Sequence, residues 1–108
     1  MSAELSIDVS GGAAALVAVT GEIDLLTAAE LGRMLRDLIA RRRPATIGID
    51  LRRVGFIDST GIQVLVATKT DARAAGIPLR VVAASQPALR VLRLAGVDGL
   101  LGTSTVER

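Results

Sequence analysis

Apolar residues in this chain recur at two periods in turn, and that succession limits the fold it can adopt. Leu5-Ser6-Ile7-Asp8-Val9-Ser10 alternates apolar with polar, the mark of a strand with one dry and one wet face. Gly11-Gly12 turns the chain. Ala14 to Thr20 is then nearly continuous in apolar residues, which suits a strand inside a sheet, antiparallel to the first. Gly21-Glu22-Ile23-Asp24 reads as a loop. Thr27 and Glu30 stand at the spacing of a capping box, with Leu26 and Leu31 placed as a hydrophobic staple. Leu31, Met34, Leu35, Leu38 and Ile39 follow as one helical stripe, and Pro44 bars continuation.

The alternation returns in Thr46-Ile47-Gly48-Ile49-Asp50-Leu51 and again from Leu79 to Ala83. Between them lies a helix running to about Ala75, with Ile62, Leu65 and Val66 as its inner face and Gly76 and Pro78 as its stop. Ser85 caps a third helix with Pro87 in its first turn. Leu89, Val91, Leu92 and Ala95 supply its apolar contacts before Gly96 ends it. The order is ββαβαβα, and each strand-helix-strand connection is long enough for a right-handed crossover between parallel strands. The expected fold is α/β: a mixed sheet of four to five strands with right-handed βα units. Because three strands keep a polar face, the helices should gather mainly on one side.

A chain of 108 residues is expected to form one domain, 1–108, with a single core. Phe56 is the only aromatic residue, so that core must be aliphatic, and Phe56 itself reads as a core or turn anchor. Stacking on nucleic-acid bases is not available. With neither cysteine nor histidine, a disulfide scaffold, a Cys/His zinc site and a Ser-His-Asp triad are all impossible. The chain shows no phosphate-binding G-x-x-x-x-G-K-[ST] loop and no strand-linked G-x-G-x-x-G. Lys69, the only lysine, lies ten residues beyond Ser59 on the same helix, ~15 Å along its axis and out of hydrogen-bond reach. The reading is therefore of a protein that is not an enzyme and carries no cofactor or metal.

Net charge is +2. Arg41-Arg42-Arg43 falls where the first helix should end, and cations there complement the helix dipole. No second basic cluster accompanies it, so no nucleic-acid partner is expected. The start Met1-Ser2-Ala3-Glu4 has no basic region and no apolar run behind it, unlike a signal peptide, and no stretch reaches the ~20 apolar residues of a membrane span. A cytoplasmic protein, monomeric when free and without a membrane partner, is the expectation.

The segment from Val54 to Val66 carries the most specific information. Asp58, Ser59, Thr60 and Gly61 fall at the start of the second helix, with Asp58 or Ser59 as its N-cap. The first N–H groups of a helix lack intrahelical partners and its dipole favours an anion there, so the fold would tolerate a phosphate on Ser59. Gly61 reads as clearance beside that hydroxyl, since glycine in the first turn costs ~1 kcal/mol relative to alanine. Thr60 is the rival acceptor, and the plainest alternative for Ser59 is a simple N-cap.

Phe56-Ile57-Asp58-Ser59-Thr60-Gly61 before an aliphatic helix resembles the phosphorylation-site segment of the anti-sigma factor antagonists, bacterial members of the STAS domain family. Gly21-Glu22-Ile23-Asp24 before a Leu-Thr-Ala helix start, and Leu92-Arg93-Leu94-Ala95-Gly96-Val97, resemble that family's other two recurring segments in the same order, so the likeness runs from about Leu5 to Leu101. It implies the STAS fold and a partner-switching role. The unmodified antagonist binds an anti-sigma factor, itself a GHKL-type serine kinase using Mg-ATP, and frees the sigma factor. Phosphorylation of Ser59 abolishes binding until a serine phosphatase restores it.

Asp24 matches a family position on the loop beside the phosphosite, where it would orient or acidify the docking surface; the alternative is a loop aspartate that caps backbone N–H groups. Glu22, Ile23, Asp58, Thr60, Gly61, Ile62 and Gln63 complete the expected partner surface. Where family members continue into a C-terminal helix, Gly102 to Arg108 leaves room for at most a short strand, so that helix is expected to be absent or truncated. The alternative within the fold is a non-switching STAS subunit of a larger complex, a stressosome or a lipid-transport ABC system. A receiver domain would need acids at the end of its first strand and a lysine on a later one, and this chain has neither arrangement.

Overall fold

The computed structural model describes residues 5–97. Four strands, β1 (Leu5–Ser10), β2 (Ala14–Ile23), β3 (Thr46–Ile57) and β4 (Leu79–Ala84), form one sheet in the order β1-β2-β3-β4. The β1–β2 pair is antiparallel; β2–β3 and β3–β4 are parallel. Three helices, α1 (Leu25–Asp37), α2 (Ser59–Ala74) and α3 (Gln86–Leu94), alternate with the strands in the expected ββαβαβα order. The turn between β1 and β2 needs glycine at position 11, where φ is +82° and a Cβ would stand 2.3 Å from the Ala14 carbonyl oxygen.

One face of the sheet is buried under the helices. Val17, Val19, Ile49 and Val81 project from it into a core completed by Leu31, Leu35, Leu65 and Leu92, and no aromatic residue takes part. The gathering of helices on one side and the aliphatic core therefore agree with the sequence reading.

Several local expectations are corrected. β2 and β3 run further than their alternation indicates, because they stay paired in parallel up to Glu22↔Phe56 and Ile23↔Ile57 across register irregularities near Ala18–Thr20 and Gly21–Glu22. Such irregularities break the two-residue period without ending the ladder, so Gly21 to Ile23 is strand and not loop. The capping box at the start of α1 is formed by Asp24 and Thr27, not by Thr27 and Glu30, and Leu26 is exposed instead of stapled. On α2, Val66 faces solvent while Thr68 and Ala72 are buried. Thr68 satisfies its hydroxyl by donating to the carbonyls of Val64 at 2.9 Å and Leu65 at 3.2 Å, as helix-interior threonines do. On α3, Ala88 is buried and Ala95 exposed.

Helix α1 continues into a π-helical segment, Leu38–Arg42, that ends at Arg43 in the left-handed conformation, with Arg41 paired to Asp37 at 2.8 Å. The basic triplet thus closes the helix, as read from the sequence. The expected shortening of the C-terminus beyond Gly102 lies outside the described residues.

Candidate functional site

Two neighbouring parallel strands end side by side and each hands the chain to a helix. Ile23 and Ile57 are register partners, and the Asp58 N–H donates to the Ile23 carbonyl at 3.1 Å. Asp24 and Asp58 therefore stand next to each other at the carboxyl end of the sheet, each as an N-cap.

Oδ1 of Asp24 accepts from the N–H groups of Leu26 and Thr27, both at 3.0 Å. The Thr27 hydroxyl accepts from the Asp24 N–H at 2.9 Å and donates to the Glu22 carbonyl at 2.6 Å. Oδ1 of Asp58 accepts from the Gly61 N–H at 3.1 Å and from the Thr60 hydroxyl. The Thr27 N–H holds the Asp24 carboxyl below the usual carboxylate range, against some desolvation. Asp58 is lowered chiefly by the Thr60 hydroxyl, with desolvation and the nearby Asp24 charge opposing. Both are anionic at neutral pH.

This arrangement separates the roles of three adjacent residues. Asp58 is the cap, which settles the choice left open between it and Ser59. The Thr60 side chain is half-buried and committed to Asp58. Ser59 is the first residue of α2 and exposed, and among the described residues no hydrogen bond engages its hydroxyl. It opens on a groove of about 420 Å³ lined by Ile62, Gln63, Val91, Leu94 and Ala95.

Gly61 does not provide clearance for an approaching molecule. It is buried, and a Cβ there would stand 2.6 Å from Ile23 Cγ2 and 2.8 Å from Ile57 Cγ1, so glycine is what lets the first turn of α2 settle on the strand ends. Ile23 is wholly buried and Ile62 only 6% exposed. Both support the surface from beneath, Ile62 as the groove floor, and the expectation of them as direct contacts is corrected by their place in the core. Glu22 and Gln63 are exposed and Asp24 half-exposed.

Sequence reading missed the apolar part of this surface. Phe56 is 47% exposed, opposite Glu22 on the neighbouring strand, and is not a core anchor. Leu25, Leu26 and Leu94 are also exposed, Leu94 at 82%. Leu25 and Leu26 lie in the first turn of α1, a position legible only once Asp24 is recognised as the cap. Among the described residues no group of acidic side chains is arranged to hold a metal ion, and no helix is long and apolar enough to cross a membrane.

Comparison with known proteins gives a consistent picture. The family model described as "Mlab, STAS domain" matches residues 5–102. The chain is similar to the anti-sigma-F factor antagonist RsfB of Mycobacterium tuberculosis, 35% identical over 84 residues that cover 78% of this chain and 67% of RsfB. Its structure resembles that of an anti-sigma factor antagonist from Mycobacterium paratuberculosis, with TM-score 0.79 and 26% identity over 96% of this chain and 88% of that one. The antagonist SpoIIAA in its unphosphorylated form has the same fold, with TM-score 0.77 at 16% identity over 96% of this chain and 90% of SpoIIAA.

Proposed function

The chain belongs to the STAS domain family as an anti-sigma factor antagonist, and we propose that it works by partner switching through Ser59. In this reading residues 1–108 are one STAS domain that acts in the cytoplasm as a regulator and not as an enzyme. The unmodified protein docks on an anti-sigma factor that is also a GHKL-type serine kinase, and the sigma factor is released. The kinase supplies Mg-ATP, and the antagonist brings only the acceptor hydroxyl. Transfer of a phosphate to Ser59 ends the complex, and a serine phosphatase reverses the transfer.

The observation that carries the proposal is the division of labour at the start of α2: Asp58 caps, Thr60 is hydrogen-bonded to it, and Ser59 is exposed with its hydroxyl uncommitted among the described residues. A phosphate there adds about −1.5 to −2 charges beside the carboxylates of Asp58 and Asp24. The helix terminus tolerates an anion, so the fold survives. The docking surface does not stay the same: the groove that Ser59 shares with exposed Leu94 acquires a strongly hydrated dianion at its edge.

The family model that matches is named for Mlab and not for an antagonist, which favours one further reading: a fixed STAS subunit of a larger complex, a stressosome or lipid-transport ABC system, with Ser59 unmodified. Titration of candidate anti-sigma factors with wild type, Ser59→Ala and Ser59→Asp separates the two. Partner switching requires that wild type and Ser59→Ala bind alike and that Ser59→Asp binds at least about tenfold more weakly. Equal binding by all three supports the fixed subunit.

A further inference from the structure

We infer that two cavities meeting at Pro78 and Arg80, remote from Ser59, form one binding site for a single anionic amphiphile. The first cavity, about 430 Å³, lies where the end of α2 meets the start of β4, and three of its lining residues are the cations Lys69, Arg73 and Arg80, with no carboxylate among the rest. The Lys69 ammonium is fixed there by donating to the Leu79 carbonyl at 2.9 Å, with further protons left to offer. The ion pairs among the described residues are Arg41–Asp37 and Arg52–Asp50, so none of these three cations is paired there. Lys69 and Arg73 are four residues apart on α2, a spacing at which like charges repel. Complementing the helix dipole accounts for Arg73, in the last turn of α2, but not for Lys69 further up that helix or for Arg80, which comes from β4.

The second cavity, about 450 Å³, runs over the sheet face turned away from the helices. Leu16 and Val82 are 37% and 49% exposed on either side of Gly48. A Cβ at Gly48 would stand 3.0 Å from Val82 Cγ1 and 3.6 Å from Leu16 Cδ1, so the glycine lets these two aliphatic side chains lean together over β3 as one apolar surface along the cavity. Pro78 and Arg80 line both cavities. A cavity with an aliphatic wall that ends at three cations without an ion-pair partner among the described residues is complementary to a hydrocarbon chain with an anionic head, and a phosphate monoester places its oxygens among several donors at once. Arg73 and Arg80 hold the head, and Leu16, Gly48 and Val82 take the chain. Inorganic phosphate satisfies only the first half, and a neutral detergent only the second.

The test is an NMR titration of the isotope-labelled full chain at low ionic strength. The probes are dodecyl phosphate below its micelle concentration, dodecyl maltoside, inorganic phosphate, and phosphatidylglycerol vesicles. The expected result is saturable shifts with dodecyl phosphate at the amides of Gly48, Ile77, Leu79, Arg80 and Val82, with dodecyl maltoside and inorganic phosphate each at least about tenfold weaker. Arg73→Gln with Arg80→Gln, and separately Leu16→Ser with Val82→Ser, should each cost about tenfold in affinity. A far-UV circular dichroism melt checks that both variants remain folded. Equal binding of the maltoside overturns the site as anionic, and vesicle binding without monomer binding assigns the patch to a membrane surface instead. Absence of saturable shifts overturns it altogether.

Discussion

A methyl group added to Gly61 would lie 2.6 Å from Cγ2 of Ile23, closer than two carbon atoms can come without one of them moving. The start of α2 is therefore seated on the end of β2 through the absence of a side chain, and the position of Ser59 depends on that contact. Gly61→Ala should destabilise the protein by about 1–3 kcal/mol despite the better helix propensity of alanine, because the strain exceeds the ~1 kcal/mol that alanine contributes. Urea denaturation measures it. A variant as stable as wild type would restore the reading of Gly61 as mere clearance.

Ser59→Ala should leave stability within about 0.5 kcal/mol of wild type, since the residue is exposed and the cap belongs to Asp58. Asp58→Ala removes that cap and leaves the Thr60 hydroxyl without its acceptor, and should cost about 1 kcal/mol or more. Thermal melts of the two variants side by side distinguish cap from acceptor. The opposite ranking would return Ser59 to the role of a plain N-cap.

The pH dependence follows from the direction of the carboxyl shifts. Asp24, Asp50 and Asp58 all have folded-state values lowered from 3.8, Asp50 chiefly by its hydrogen bond from Arg52. A depressed folded value means that the unfolded chain takes up the proton first, so the stabilisation is present in full above the unfolded value and drains away as pH falls through the folded one. With no histidine to titrate near neutrality, the melting temperature should hold level down to about pH 5 and fall below about pH 4. In the Asp24→Asn, Asp58→Asn double variant the fall over that window should be shallower. An identical acid limb in both proteins would show that the caps are not its source.

Phe56→Ala should leave the melting temperature nearly unchanged, because the ring lies on the surface opposite Glu22. Binding to the anti-sigma factor should weaken by about 1–2 kcal/mol, as expected for an exposed aromatic side chain that a partner covers. Calorimetric titration of the variant checks both halves. A strongly destabilised protein with normal affinity would put Phe56 back in the core.

Most of the architecture was legible in the sequence, because Leu5–Ser10, Thr46–Leu51 and Leu79–Ala83 carry a clean two-residue period while the helices start and stop on Ser85, Pro87, Gly76 and Pro44. What escaped was governed by pairing between distant strands. Arg52, Arg53 and Gly55 break the alternation of β3, yet parallel pairing with β2 keeps the strand going to Ile57 and turns Phe56 outward. The same pairing carries β2 to Ile23, moves the cap of α1 back from Thr27 to Asp24, and brings Asp24 next to Asp58. Ser59 was legible as an acceptor from its place at a helix start. That Asp58 occupies Thr60 and so leaves Ser59 as the uncommitted hydroxyl is a matter of side-chain geometry, which no spacing encodes.

The most direct test of switching through Ser59 is intact-mass and site-resolved peptide analysis after incubation with a GHKL-type anti-sigma kinase and Mg-ATP, run on wild type, Ser59→Ala and Thr60→Val. The expected result is a single phosphate at Ser59 in wild type and Thr60→Val and none in Ser59→Ala, with the modified protein released from the kinase. Phosphate on Thr60, or a stable complex that Mg-ATP neither modifies nor dissolves, would contradict it.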